Sequence, residues 1–171
     1  LNVIIGSNNS GKTGLLNAIR LLSNPSTISV HDFNKNNLLE YATKYMDEPP
    51  IIEIEYDIRH EISEDDTDDE SIIKLVPFLG MNEVRQLRQE DGDTAKYSLV
   101  AVVRLVFALQ TKALSDYKKA TKDIQSANEY LNLLETFLDR YEWSYTNGAS
   151  DTLADKKDAT SLFDIRFIEA E

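Results

Sequence analysis

The chain has 171 residues, of which 42% are hydrophobic and 28% charged, and this composition is typical of a globular domain and not of a disordered segment. It contains no cysteine, which excludes a disulfide framework and a thiolate metal site and makes a reducing cytoplasm the expected compartment. A net charge of −12 argues against sequence-independent nucleic-acid binding by the chain as a whole, and no apolar run reaches the roughly 18 residues of a membrane span.

The charge is distributed unevenly along the chain. The segment Glu61–Glu70 holds seven acidic residues and no basic one, which is most often the composition of a solvated hairpin tip. Basic residues gather at Lys112, Lys118, Lys119 and Lys122. These lysines could contact DNA phosphate locally, although lysine is also the usual residue on the outward face of an amphipathic helix.

The first predicted elements flank a glycine-bounded loop. An apolar strand is predicted over Asn2–Ile5. A helix is predicted from Thr13 to Ser23, ending before Asn24-Pro25 because the residue before a proline disfavours the helical conformation. The apolar stripe of this helix consists of Leu15, Leu16, Ala18, Ile19 and Leu22.

Residues 24–50 have a mixed pattern, in which 29–37 (SVHDFNKNN) are predicted as a loop and 37–46 (NLLEYATKYM) as a short helix. Residues 49–58 (PPIIEIEYDI) then alternate between apolar and acidic side chains. Strict alternation predicts a half-exposed strand, which is more typical of an antiparallel sheet than of a central parallel strand.

The second half of the chain contains patterns that are typical of helices and patterns that are typical of strands. A helix is expected over Met81–Glu90, and the β-branched segment 96–109 (KYSLVAVVRLVFAL) predicts a strand, with a buried helix as its alternative. A single helix is predicted from about Ser115 to Tyr141, a turn at Asn147-Gly148, and a final strand over 162–170. The apolar face of the long helix consists of Tyr117, Ile124, Ala127, Leu131, Leu134, Phe137 and Leu138.

The loop Gly6–Thr13 fits the pattern G-x-x-x-x-G-K-[ST], the Walker A motif. The glycines Gly6 and Gly11 let the backbone turn tightly and direct successive amides into one anion-binding concavity. The helix that starts near Lys12 offers unpaired N–H groups and the positive end of its dipole to phosphate. Lys12 adds a charge for the β- and γ-phosphates, and the Thr13 hydroxyl is a ligand for Mg²⁺.

The remaining predicted nucleotide contacts are Asn8, Asn9, Ser10 and Gly14. An apolar strand precedes the motif and an amphipathic helix follows it, which is the structural context that the motif requires. A glycine-rich turn at a helix entry is the structural alternative, and this context disfavours it. The sequence therefore predicts a site for ATP and Mg²⁺.

The segment GSNNSGKTGLLNAIRLL resembles the form G-x-N-x-[SA]-G-K-[ST]-x-[LI]-[LI]-x-A-[IL] found in ABC-type ATPases of the SMC, RecF and OLD group. Asn8 stands at the asparagine position and Ser10 at the small-residue position, and LLNAI continues the helix pattern. The stretches HDF, IIEIEYDI and FIEAE look most like the OLD (overcoming lysogenization defect) family. The resemblance rests on these stretches and does not extend to the middle of the chain.

This resemblance implies an α/β fold of the P-loop NTPase type, namely an ABC-ATPase-like lobe with mixed or antiparallel flanking strands and a long helix. Residues 1–171 would be the N-terminal part of one ATPase domain, because no signature loop, Walker B motif, D-loop or switch histidine is recognisable. Proteins of the OLD family also carry a C-terminal Toprim nuclease domain, which this sequence does not show. The implied function is ATP-dependent regulation of DNA cleavage in defence against phage.

The resemblance also implies how the site would work. ATPases of this group dimerise so that the P-loop of one subunit faces the signature loop of the other. Lys12 and Thr13 would then form half of a composite site, and hydrolysis would need Mg²⁺ together with an acidic group that positions water. The implied partners are ATP, a second copy in a homodimer or larger oligomer, and DNA bound by the intact protein, with no membrane.

Four further residues are weaker candidates. Asp32 could help to order the water around Mg²⁺, although a loop aspartate more often acts as a helix cap or turn former. Glu169 lies at the end of the last predicted strand, where related ATPases place a loop that senses the γ-phosphate. His31 and His60 are isolated in the sequence and are assigned no role.

Two alternative functions stay open. One is a DNA-maintenance ATPase of the RecF or SMC kind without a nuclease, although the predicted helix over Ser115–Tyr141 is short for an SMC arm. The other is a small-molecule P-loop kinase. The Asn-Asn pair in the loop, the antiparallel pattern and the lack of an arginine-rich lid count against the kinase.

Overall fold

The computed structural model describes residues 12–23, 28–33, 38, 44–63, 70–86 and 96–162. The chain divides into two compact units. The first unit comprises Leu1–Ser26, Glu55–Arg104 and Tyr145–Glu171, and the second comprises Thr27–Ile54 and Leu105–Ser144. The strand predicted over 2–5 and almost all of the one predicted over 162–170 lie outside the described residues.

The described elements mix helices and strands. The α-helices are α1 (Lys12–Ser23), α2 (Glu70–Leu75), α3 (Leu114–Ala120), α4 (Ala127–Phe137) and α5 (Lys156–Thr160). The strands are β1 (Ile52–Ser63), β2 (Leu79–Gln86), β3 (Lys96–Leu109) and β4 (Tyr141–Asn147). Short 3₁₀ turns cover Val30–Asp32, Val76–Phe78, Thr111–Ala113, Thr121–Asp123 and Leu138–Arg140.

The four strands form one sheet with β3 at its centre. The strand order is β1-β3-β2, and β4 also pairs with β3. Strands β2 and β3 are antiparallel, with Val84 opposite Leu99. Backbone hydrogen bonds from Gln110 to Arg140 and from Gly148 to Val102 show that β4 also runs antiparallel to β3. The sheet is therefore antiparallel at the pairs β2–β3 and β3–β4. The alternating pattern predicted this character for β1, whose direction relative to β3 stays a prediction.

Two strand predictions are confirmed in detail. Along β1 the acidic side chains are exposed and the apolar ones half-buried, as the alternation predicted. Strand β3 spans 96–109, so the alternative of a buried helix is excluded. One face of β3 is buried throughout, and it consists of Leu99, Ala101, Val103, Leu105 and Phe107.

The helix predicted over Met81–Glu90 is wrong for the part that the structure describes, because Met81–Gln86 belong to strand β2. Pairing with β3 explains the difference: Val84, Arg85 and Gln86 each lie opposite a β3 residue, and the ladder of backbone hydrogen bonds overrides local helical propensity. Residues 87–90 lie outside the described residues.

The single long helix predicted over Ser115–Tyr141 is also wrong, because the structure has two shorter helices, α3 and α4. Ile124 has extended backbone angles, and Ser126 is extended as well, with φ of −141° and ψ of 155°. Ser126 begins α4 as its N-cap, since its Oγ accepts a hydrogen bond from the Glu129 N–H at 3.3 Å. Tyr141 then opens strand β4, which the sequence patterns did not predict.

The core of the second unit is centred on buried tyrosines. Tyr117 and Tyr130 bring their hydroxyls within 2.8 Å of each other, and the Tyr117 hydroxyl donates to the carbonyl oxygen of Tyr45 at 2.6 Å. The ring of Phe137 lies edge-on to Tyr117 with 5.4 Å between centroids. Buried aromatic pairs of this kind add to the stabilisation from burial alone.

The shorter predictions have mixed outcomes. Helix α1 ends at Ser23 as expected, and Leu38 and Lys44 are helical, while the rest of 37–46 is mainly outside the described residues. The acidic segment is not simply a hairpin tip: Glu61–Ser63 continue β1 and Glu70 begins α2. The predicted turn at Asn147-Gly148 is confirmed, with the Asn147 Oδ1 accepting from the Ala149 N–H at 2.9 Å.

Candidate functional site: the first turn of helix α1

The predicted phosphate-binding helix starts where the motif requires. Helix α1 begins at Lys12, and its first turn contains no acidic residue. The backbone N–H groups of Lys12 and Thr13 are among those without an intrahelical acceptor, so they are available to an anion. The loop residues 6–11, with Gly6, Asn8, Asn9, Ser10 and Gly11, lie outside the described residues.

Strand β1 and helix α5 hold α1 in the first unit. The Tyr56 hydroxyl on β1 donates a hydrogen bond to the carbonyl oxygen of Ala18. Burial, and after it the neighbouring Tyr145, raises the pKa of Tyr56 to about 12, so this donor keeps its proton at neutral pH. Leu21 is buried, and α1 packs against α5. These contacts fix the helix whose N-terminus the motif uses.

Gly14 lies in the first turn of α1. Among the described residues, no heavy atom lies within 4 Å of the position that a Cβ would take. Glycine within a helix costs up to about 1 kcal/mol relative to alanine, and the described contacts do not account for its presence here. No described residue therefore fills the space beside Gly14, at the turn where the phosphates are expected.

The residues present fit a magnesium ion held together with a nucleotide. The hydroxyl of Thr13 is an oxygen ligand, which is the type that Mg²⁺ prefers. Within the described ranges, no group of three or more His, Cys, Asp or Glu residues could form a protein cage for a metal. Mg²⁺ at a phosphate site needs no such cage, because it keeps several waters and takes substrate phosphate oxygens.

Asp32 has a structural role at the 3₁₀ turn of the second unit. Its Oδ2 accepts hydrogen bonds from the Ser29 N–H at 2.8 Å and from the Ser29 hydroxyl at 3.1 Å. The Ser29 Oγ in turn accepts from the His31 N–H at 3.3 Å, which completes a reciprocal capping box. This is the cap or turn role weighed in the sequence, and a role for Asp32 near Mg²⁺ stays a prediction.

The other candidates are placed as follows. His31 is exposed in the same 3₁₀ turn, and His60 is half-buried on β1. Glu169 lies outside the described residues. Lys118, Lys119 and Lys122 are exposed, as expected for an outward helix face.

The sequence patterns did not single out the ion network of the first unit. Arg104 bonds Glu55 through Nε at 3.0 Å and Nη2 at 2.9 Å, and it also pairs with Asp151 and the carbonyl oxygen of Gly148. The hydrogen bond to Glu55, followed by that to Asp151, raises the pKa of Arg104. The sequence feature that could have indicated this network is Arg104 itself, a lone arginine inside the apolar run of β3. The network ties the turn after β4 to β1 and β3.

The helices among the described residues include none that is long and apolar enough to cross a membrane. A search of curated proteins and a search of solved structures found nothing that matches the chain. The family of AAA ATPase domains matches residues 1–164, which is nearly the whole chain. This family occurs in SMC-, RecF- and OLD-like ATPases, so the match supports an ABC-type ATPase. The chain belongs to the AAA ATPase domain family.

Proposed function

We propose that the chain binds Mg-ATP through the loop Gly6–Thr13 and the first turn of α1. The observation that carries this proposal is the start of α1 at Lys12, with an acid-free first turn on a helix held by Tyr56. Lys12 contacts the β- and γ-phosphates, and the hydroxyl of Thr13 ligates Mg²⁺. The backbone of residues 6–11 and Gly14 surrounds the phosphates.

Hydrolysis on this proposal needs more than the half-site of one chain. In the ATPase group that the loop resembles, a second copy completes the site, so we propose a homodimer or larger oligomer. The bound Mg²⁺ neutralises charge that develops on the phosphates, while a carboxylate positions the attacking water. The first turn of α1 itself contains no acidic residue.

We further propose that ATP turnover regulates DNA cleavage by an endonuclease of the OLD type that acts in phage defence. The stretches HDF and IIEIEYDI and the family match support this proposal. The antiparallel pairing of β3 with β2 and β4 disfavours the small-molecule kinase, whose sheet is parallel. Helices α3 and α4 are too short for a coiled-coil arm, which disfavours the SMC-like alternative over the described part of the chain. The absence of cysteine fits the cytoplasm as its compartment.

The test of ATP binding uses Lys12→Ala in the intact protein, with nucleotide affinity measured by calorimetry in the presence and absence of Mg²⁺. Losing a charge-assisted phosphate contact should weaken Mg-ATP binding about 10- to 100-fold. Lys156→Ala removes an exposed lysine from α5 and is the matched control, which should bind like the unmodified protein. Unchanged affinity in Lys12→Ala would contradict the assignment of the loop.

A conservative pair of variants tests the magnesium ligand. Thr13→Ser keeps the hydroxyl and should keep the gain in affinity that Mg²⁺ provides, whereas Thr13→Ala should lose it. We also expect the 171-residue chain alone to show negligible turnover, because the acidic group is supplied from elsewhere. Rapid turnover by this chain would reveal a catalytic acid within it.

A further inference from the structure

Helix α3 and the 3₁₀ turns on either side of it carry a row of lysines and hydroxyls along one side. Thr111, Ser115, Lys118, Lys119 and Lys122, here called the lysine face, line one open surface depression together with Leu114. The spacing places these residues on successive turns of one helical face. All five are exposed, and the depression is shallow and open, so it does not enclose a small molecule.

The charge of this face is mostly unpaired. Lys118 lies 3.9 Å from Asp47, whereas Lys119 and Lys122 pair with no carboxylate among the described residues. Asp116, the acidic residue of α3, is bound to Arg140 at 3.0 Å instead. Asp123 follows Lys122 and is exposed, and it forms no ion pair with the lysine face among the described residues. The lysine face is therefore a positive patch on a chain whose net charge is −12.

We propose that the lysine face binds the phosphate backbone of duplex DNA. Lysine ammonium groups and serine or threonine hydroxyls are the usual donors to DNA phosphates, and a straight row of them follows a backbone. The only aromatic residue of α3, Tyr117, is fully buried, so the face lacks the stacking platform that single strands require. Contacts to phosphates carry no sequence information, so we expect binding that is independent of sequence.

The negative charge of the rest of the chain directs DNA towards the lysine face. A polyanion is repelled by a surface of like charge and is steered to the positive region. The net charge that argued against binding by the whole chain therefore favours one defined face. The choice of DNA rests on the proposed coupling to DNA cleavage, whereas the position of the face does not.

The experiment measures binding of a fluorescent duplex of about 30 base pairs by anisotropy, over a series of salt concentrations and without nucleotide. The variant is Lys118→Gln/Lys119→Gln/Lys122→Gln. Its matched control is Lys74→Gln/Lys156→Gln/Lys157→Gln, which removes three exposed lysines from the first unit and changes the net charge equally. A second duplex of unrelated sequence tests sequence independence, and circular dichroism checks that each variant folds.

We expect the lysine-face variant to bind about tenfold or more weakly and to lose about three units from the slope of log affinity against log salt. The control should change the affinity less than about twofold. Three results would overturn the proposal: no duplex binding by the unmodified chain at low salt, equal weakening in the control, or a strong preference for one duplex. If the lysine-face variant instead lost self-association and kept DNA binding, the lysine face would bind an acidic surface of a second copy, and the proposal would be wrong.

The same measurement separates this inference from the proposed nucleotide site. Lys12→Ala should keep duplex binding while losing Mg-ATP, and the lysine-face variant should keep Mg-ATP while losing the duplex. Loss of duplex binding in Lys12→Ala equal to that in the lysine-face variant would contradict the assignment to α3.

Discussion

Helices α1 and α4 have similar lengths, 12 and 11 residues, and both have an apolar stripe in the sequence, yet they differ in burial. On α4, Tyr130 and Leu134 have 0% of their surface exposed. On α1, the predicted stripe residues Leu15 and Ile19 are 50% and 36% exposed. Periodicity therefore predicts that a helix has an apolar side, and only tertiary contacts decide whether that side is closed.

The contacts of the two helices explain the difference. In the second unit two residues of α4 contact Tyr117. The hydroxyl of Tyr130 shares a hydrogen bond with the Tyr117 hydroxyl, and the ring of Phe137 lies edge-on to the Tyr117 ring. In the first unit the described contacts of α1 include the hydrogen bond from Tyr56, the packing against α5 and the burial of Leu21, which the predicted stripe did not include. Among the side chains that the structure describes, α1 therefore buries Leu21, whereas α4 buries Tyr130, Leu134 and Phe137.

Leu134→Ala should have the largest effect on stability. Leu134 is fully buried, so the substitution removes apolar contacts and leaves a cavity, at a cost of about 2–5 kcal/mol. Urea unfolding followed by circular dichroism measures the change in free energy. A cost below about 1 kcal/mol would mean that the core around α4 is not closed.

High pH should unfold the tyrosine core. Burial raises the pKa of Tyr117 to about 12 and shifts the pKa values of Tyr130 and Tyr141 upward as well, whereas an unfolded tyrosine titrates near about 10. Below about pH 10 both states keep their protons and this stability is complete. Above it the unfolded tyrosines ionise first, so stability falls by up to about 1.4 kcal/mol per pH unit for each tyrosine.

Urea midpoints at about pH 9, 10 and 11 measure this loss. Tyr117→Phe removes one of the titrating groups, so its stability should fall less steeply over the same pH range. A midpoint that stays constant from about pH 9 to 11 would show that the tyrosines ionise as easily in the folded as in the unfolded chain.

Gly148→Ala and Gly14→Ala make the same substitution in two different environments of the first unit. A Cβ at position 148 would overlap the side chain of Val102, so we expect a cost of about 1–3 kcal/mol. At Gly14 no described neighbour interferes, and alanine should stabilise α1 by about 0.5–1 kcal/mol. Urea unfolding compares the two, and Val102→Ala should recover part of the loss at position 148. Equal effects at the two glycines would contradict the packing of the turn.

The sequence predicted the parts of this molecule that local rules determine. The start of α1 follows from the Walker motif, its end from Asn24-Pro25, and the turn at 147–148 from the Asn-Gly pair. Strand β3 follows from its β-branched composition. In each case neighbouring residues along the chain specify the conformation, so no knowledge of distant contacts was needed.

The wrong predictions have the opposite cause, because each depends on information that lies outside the local sequence pattern. Met81–Gln86 pair with β3, and this pairing partner is not visible in a local window. The break between α3 and α4 depends on Ser126 as an N-cap, and the apolar spacing continued through it without a signal. At the site, the motif predicted Lys12 and Thr13, whereas Tyr56 as the support of α1 comes from a strand 38 residues away in sequence.

Leu15→Ala should have the smallest effect, and it is the direct counterpart of Leu134→Ala. Leu15 is half-exposed, and alanine is the stronger helix former, so the free energy of unfolding should change by less than about 0.5 kcal/mol. The same urea experiment applies, with Mg-ATP absent so that nucleotide binding does not add to the stability. A cost near that of Leu134→Ala would mean that the apolar side of α1 is closed at Leu15 as well, and the difference in burial between Leu15 and Leu134 would then fail to predict stability.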